Sequence, residues 1–252
     1  MFKNYGPLAT DVYELTKPVG SDLNGDIAYY TERLTGVSGK ILEAGVGTGR
    51  VLLPLLTAGF DVEGVDQSED MLKQCRTHLM TSGFETSLYT DDLATFSIKD
   101  TLYEAIIMPT ATFCLIETEE KAWETLANFY RHLEVGGRVI IDLDIPFYPE
   151  VDEIITSTHP ISRNEGITLE RKIIDIDWLE QHIISYLKYE KWRDGQLIET
   201  ELQRFLLRWY GLNEFSLMLE KVGFKNIVIS SDYDYDVPPV TSNQLITFEA
   251  TK

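Results

Sequence analysis

The chain has 252 residues, 44% of them hydrophobic, with 22 Lys and Arg against 41 Asp and Glu for a formal charge of -19. The apolar content excludes a disordered chain, and the acidic field repels phosphate backbones and anionic bilayers, so neither nucleic acid nor membrane is an expected partner. Two cysteines, Cys75 and Cys114, are too few for a disulfide framework or a thiolate metal cluster. No leader pattern opens the chain and no apolar run approaches the roughly 20 residues of a membrane helix, so a cytoplasmic protein is expected.

The first 38 residues read as a helical and loop-like cap carrying Tyr5, Tyr13, Tyr29 and Tyr30. From Gly39 the pattern alternates. Lys40 to Glu43 is a strand, and the helical run from Arg50 to Ala58 stops at Gly59. Asp61 to Asp66 is the second strand. Ser68 then caps a helix with Glu69 and Asp70 in its first turn, ending near Gly83. Strands follow at Thr86 to Tyr89 and Ala105 to Met108, then a helix from Thr118 to Leu133, a Gly136-Gly137 turn and a strand from Arg138 to Asp142.

Such alternation predicts an α/β fold, a Rossmann-like, mostly parallel sheet with helices on both faces. Between Ile167 and Trp209 the period changes to long alternating runs, with turns near Glu180 and Asp194. They predict an inserted antiparallel meander of about three strands. A helix from Asn213 to Val222 and strands at Asn226–Ser230 and Gln244–Ala250 complete the core, for seven strands in its sheet. The expected organisation is a cap at 1–38, an α/β core at 39–150, an insertion at 151–210 and the rest of the core at 211–252.

The loop after the first strand reads Glu43-Ala44-Gly45-Val46-Gly47-Thr48-Gly49-Arg50. A dinucleotide fingerprint would need its third glycine where Arg50 stands, and a pyrophosphate does not sit well beside Glu43. A carboxylate there, at the strand's end, suits a cationic ligand with its own ammonium group. Asp66, at the end of the second strand, can accept hydrogen bonds from both hydroxyls of a ribose. Arg50 either reaches the ligand or, more commonly for such a residue, is an exposed first-turn arginine.

Glu-x-Gly-x-Gly-x-Gly followed by Gly64-Val65-Asp66-x-Ser68 resembles the class I S-adenosylmethionine-dependent methyltransferases. The resemblance implies the cofactor S-adenosylmethionine, its product S-adenosylhomocysteine, an amine contact at Glu43 and a ribose contact at Asp66. It implies an adenine contact from Asp91 or Asp92, with Phe96 favouring Asp92 and the Leu93 backbone. Ala44, Gly45, Gly47, Gly49, Gln67, Met71 and Pro109 complete the implied cofactor set.

The segment Met108-Pro109-Thr110-Ala111 has neither the Pro-Pro-Tyr of base methylation nor a catalytic cysteine. The layout is similar to sugar-nucleotide N-methyltransferases, implying a small-molecule acceptor whose N or O nucleophile displaces the methyl directly. Tyr13 is the expected positioning group, with Tyr5, Tyr29 and Tyr30 as weaker versions. His159 and His182 are candidate bases; His78 and His132 read as structural. Trp178, Trp192 and Trp209 are candidate acceptor-pocket residues, and the insertion is expected to shape that pocket or a homodimer face. No metal is expected, and the acidic loop Asp232 to Asp236 reads as solvated. A non-catalytic S-adenosylmethionine sensor or partner subunit stands as the alternative, with a nicotinamide oxidoreductase a distant third.

Overall fold

The computed structural model describes residues 5–146 and 149–252. The chain divides into two compact units, Val19–Phe147 with Trp209–Lys252, and Met1–Pro18 with Tyr148–Arg208.

The larger unit is a seven-stranded sheet. In chain order its strands are β1 (Ile41–Ala44), β2 (Val62–Asp66), β3 (Leu88–Thr90), β4 (Tyr103–Met108), β5 (Leu133–Leu143), β10 (Lys225–Ser231) and β11 (Ile246–Thr251). They lie in the order β10-β11-β5-β4-β1-β2-β3, all parallel except β11, which runs antiparallel to both its neighbours. Central strands covered on both faces need continuous apolar runs. Ile106-Ile107-Met108 and Val139-Ile140-Ile141 supply them and are fully buried. The chain steps outward from β1 through β2 to β3, then returns to place β4 on the other side of β1. That reversal leaves a crevice at the carboxyl ends of β1 and β4, where open α/β sheets bind ligands.

The helices of this unit are α2 (Asp26–Arg33), α3 (Leu52–Thr57), α4 (Glu69–Ser82), α5 (Glu119–His132) and α6 (Leu212–Val222). Ser68 caps α4 by accepting from the Met71 N–H at 3.2 Å, and Gly83 ends it in a left-handed conformation, as the sequence predicts. The expected Gly136-Gly137 turn lies within β5. Tyr103 pairs with Leu133 but Ala105 with Arg138, so β5 carries extra residues that bulge into solvent around Gly136 at φ 82°.

The smaller unit holds β6 (Ile154–Pro160), β7 (Glu165–Asp177), β8 (His182–Arg193) and β9 (Gln196–Arg208) as one antiparallel sheet in chain order. β7, β8 and β9 are the three strands expected between Ile167 and Trp209, and β6 is a fourth ahead of them. β6 is short and polar and ends in proline, so it has little of the alternating signal that marks the others. The residues 1–38 are divided between the units. Helix α1 (Pro7–Thr16) packs Leu8, Ala9 and Val12 on Ile167, Leu187 and Tyr189 of the antiparallel sheet. The Glu201 carboxylate from β9 accepts from the Leu8 N–H at 3.0 Å, serving as the cap that Gly6 cannot supply. Among the described residues no helix is long and apolar enough to cross a membrane.

Candidate functional site

Glu43 sits at the carboxyl end of β1, in register with Gly64 on one side and Ile107 on the other. Only 3% of it is exposed, and its Oε2 has no hydrogen-bond partner. Burial pushes the carboxyl up to about 8; Arg50 pulls it down, while Asp26 and Asp66 push it further up. An orphaned, buried acid is costly in the free protein. Its unpartnered oxygen fits an ammonium group, which would supply both a hydrogen bond and the opposite charge.

The chain then turns through Gly45, Gly47 and Gly49 at φ of 74°, 55° and 86°. At Gly45 a Cβ would stand 2.4 Å from Thr112 Cγ2, and at Gly49 one would stand 2.8 Å from Cys75 Sγ. Both the dihedral and the close approach therefore require glycine. Behind the turn, His78 Nδ1 lies 3.0 Å from the Thr48 carbonyl oxygen, so a histidine of α4 props the loop from outside.

Asp66 closes β2 with its carboxylate facing this loop. Oδ2 accepts from the Gly47 N–H at 2.9 Å and Oδ1 from the Ser68 N–H at 2.8 Å. Burial raises its pKa, and these N–H donors oppose the rise. The carboxylate has about four acceptor positions, so capacity remains for ribose hydroxyls.

Arg50 departs from the expectation of an exposed first-turn residue. It is 2% exposed, ion-paired with the fully buried Asp26, and its Nη1 donates to the Ser21 carbonyl at 2.8 Å. The Gly20 N–H donates back to the Arg50 carbonyl at 3.2 Å. Residues 20–26 are thus folded onto the glycine loop, which no periodicity in the cap could reveal.

After β3, Asp91 is exposed and its Oδ1 accepts from the Asp92 N–H at 2.8 Å. Asp92 accepts from the Ala94 N–H at 2.9 Å and pairs with Lys121 at 2.8 Å, which lowers its pKa. Leu93 is half-buried and its carbonyl accepts from Asn128 Nδ2 at 3.1 Å. Met71 is buried, with Cε 3.2 Å from where a Gly47 Cβ would stand, while Gln67 is exposed.

Past β4, Pro109 is buried and Thr110 and Ala111 are both left-handed at φ 54°. Two consecutive non-glycine residues in that region are costly and need outside support. Asp142 of β5 supplies it, accepting from the Thr110 N–H at 2.8 Å. The same carboxylate accepts from Tyr233 at 2.8 Å and Thr247 at 2.7 Å. Asp142 and Tyr233 escape sequence reasoning because one reads as a strand end and the other lies in the acidic loop.

That loop is organised. Asp232 accepts from Gln244 Nε2 at 2.8 Å and from the Leu245 N–H at 3.0 Å.

Tyr29 and Tyr30 are buried core residues of α2. Tyr13 is half-buried on α1 in the smaller unit, with the Lys17 ammonium 5.3 Å from its ring centre, and Tyr5 packs against the cluster of Leu8, Ala9 and Val12 with the antiparallel sheet. His159 contacts Ser157 at 2.9 Å, and His182 lies 3.9 Å from Asp175. Trp178 is in the β7–β8 turn and Trp192 near the opposite end of β8, so these two do not converge on one pocket; Trp209 follows β9. Among the described residues no three His, Cys, Asp or Glu side chains gather as a metal site.

Residues 41–137, from β1 to the β5 bulge, match the methyltransferase domain family. The chain is 23% identical over 216 residues to the putative methyltransferase YqeM of Bacillus subtilis, covering 85% of this chain and 84% of that protein. It is 28% identical over 243 residues to a cypemycin N-terminal methyltransferase from Streptomyces, covering 94% and 93%. The structure of the sugar N-methyltransferase KedS8 from Streptoalloteichus superposes with a TM-score of 0.76 at 16% identity, covering 100% of this chain and 96% of that one. That structural likeness carries the fold. Residues 41–137 thus match the methyltransferase domain family, and the fold is the Rossmann-like one of the S-adenosylmethionine-dependent methyltransferases on which the chain superposes.

Proposed function

We propose that the protein moves the methyl group of S-adenosylmethionine to a neutral nitrogen on a small molecule. The observation that carries this reading is Glu43, a buried acid with an unpartnered oxygen at the mouth of a glycine turn. Its demand for a cation fits the amino-acid end of the donor and does not fit a pyrophosphate. Two names support nitrogen as the acceptor, that of the cypemycin N-terminal methyltransferase and that of the structurally similar sugar N-methyltransferase KedS8.

In this reading Glu43 takes the donor's ammonium and Ala44, Gly45, Gly47 and Gly49 leave room for its amino-acid end. Asp66 with Gln67 holds the ribose, while Met71, Asp92 or Asp91, and the Leu93 backbone receive the adenine. Pro109 bounds the reacting end. When bound, the donor supplies an already activated methyl sulfonium. The chain's work is then alignment and exclusion of water, which can supply several powers of ten in rate. An amine acceptor needs to arrive neutral, so its own pKa should set the acid limb of the pH–rate profile.

We assign positioning of the acceptor to Tyr13, and a Tyr13→Phe enzyme with unchanged turnover would remove that assignment. Cys75 and Cys114 are both buried, and the setting we propose is the cytoplasm. Calorimetric titration of S-adenosylmethionine, S-adenosylhomocysteine and NAD tests the cofactor directly, with the first two expected to bind and NAD not. In Asp66→Ala the loss of ribose hydrogen bonds should weaken binding by about 1–3 kcal/mol. Unchanged affinity in a folded variant would refute the ribose contact.

A further inference from the structure

Asp142 is fully buried, and among the described residues it has no cationic partner. Its three donors, the Thr110 N–H and the Tyr233 and Thr247 hydroxyls, are all neutral. Burial pushes the carboxyl up to about 6 against the pull of these donors. At neutral pH this leaves a buried, uncompensated negative charge, which a nearby cation would stabilise.

Strand register places that charge. Glu43 is level with Ile107 and Ile107 with Ile140, and Asp142 is two residues beyond Ile140 on the same strand. Level residues on parallel strands share a face, as do residues two apart. Glu43 and Asp142 therefore lie on one face of the sheet, two strand spacings across and two residues along, or about 12 Å apart. Between their strands runs β4, whose following residues include the Thr112 that abuts Gly45. The Tyr233 ring on this face lies 5.3 Å from Tyr29 and 6.3 Å from Tyr30. The only cation facing this layer from the glycine loop is Arg50, already paired with Asp26. Among the described residues the layer has three acids without a cation, Glu43, Asp66 and Asp142. Glu43 matches the donor's ammonium and Asp66 its ribose, so Asp142 is left over.

We propose that Asp142 is the counter-charge for the positive sulfonium, making the site prefer the charged donor to its neutral thioether product. This rests on S-adenosylmethionine binding as set out above. The donor loses its positive charge on transferring the methyl, so the product loses this attraction and is released more readily. Asp142 acts without touching the donor, through its field and through the Thr110–Ala111 turn it holds in place.

The test is the ratio of affinities for S-adenosylmethionine and S-adenosylhomocysteine, measured by calorimetry at pH 8. The two ligands carry the same amino-acid, ribose and adenine groups, so their interactions with Glu43, Asp66 and the other titratable groups of the layer cancel in the ratio, which isolates the sulfonium. Asp142→Asn keeps the shape, since the Thr247 hydroxyl can turn to accept from the new amide. It should bind S-adenosylmethionine about tenfold more weakly with little change for S-adenosylhomocysteine. Tyr233→Phe removes a donor and keeps the charge, so it should retain the wild-type ratio.

If Asp142→Asn does not fold, the wild type at pH 8 and at about pH 5 serves instead, because the carboxyl gains its proton between them. The ratio should then fall at the lower pH. Equal losses for both ligands, or an unchanged ratio, would overturn the proposal while leaving the donor assignment intact. Binding of neither ligand by the wild type would overturn both.

Discussion

Asp26→Ala should cost about 3–5 kcal/mol of stability, because it strands Arg50 as an unpaired buried charge. The pair is the most deeply buried in the larger unit, with Asp26 wholly inaccessible and Arg50 nearly so. Against a typical total of about 5–15 kcal/mol, such a loss leaves the fold marginal at 37 °C. Replacing both partners, as Asp26→Ala with Arg50→Met, should recover most of it, since no charge then remains to be desolvated. Urea unfolding at pH 7 measures both. A loss below about 1 kcal/mol in the single variant, the range of an exposed pair, would contradict the burial of Arg50 against the glycine loop.

Glu43→Gln should move binding and stability in opposite directions. It should weaken S-adenosylmethionine by at least about a hundredfold, because the donor's ammonium loses its buried partner. The free protein should gain about 1–3 kcal/mol at pH 8, where the wild type must hold an unsatisfied acid. In the folded protein this carboxyl keeps its proton up to about 8, against 4.5 for the ordinary group. Between those values the folded state holds more protons than the unfolded one, so wild-type stability falls as pH rises through the window. The Gln variant should lack that slope. Thermal unfolding at pH 5 and pH 8 checks it; parallel behaviour of the two proteins would mean Glu43 is ionised and satisfied without a ligand. Stability given up at a binding residue is the common trade at functional sites.

Much of the larger unit is legible in the chain because its signals are local. The glycines at 45, 47 and 49, the Ser68 cap and the apolar runs of β4 and β5 each fix an element within a few residues. Glu43 and Asp66 are legible for the same reason, being two strand ends joined to one loop. What escapes is assembled from distant segments. The Asp26–Arg50 pair joins residues 24 apart and the Tyr233–Asp142 bond joins residues 91 apart. Neither has a periodicity or a motif to announce it. β6 escapes for a different reason, since an edge strand of threonine, serine and a terminal proline has little hydrophobic alternation to read.

The same contrast holds for charge. An overall charge of -19 reads as a solvated acidic surface, yet Asp26, Glu43 and Asp142 are buried in one unit. Composition counts carboxylates without saying which of them are withdrawn from water. Asp26 and Asp142 need the fold to be recognised, because without a motif a buried acid differs from a surface one only in what surrounds it.

The central claim is methyl transfer to nitrogen, and one measurement addresses it most directly. The protein is incubated with S-adenosylmethionine labelled at the methyl group and a panel of amines, amino sugars and phenols, and products are resolved by mass. The account predicts a methylated amine formed in equal amount with S-adenosylhomocysteine, with no label retained on the protein. Tight binding of the donor with no product from any acceptor, or label found only on a phenol oxygen, would contradict it.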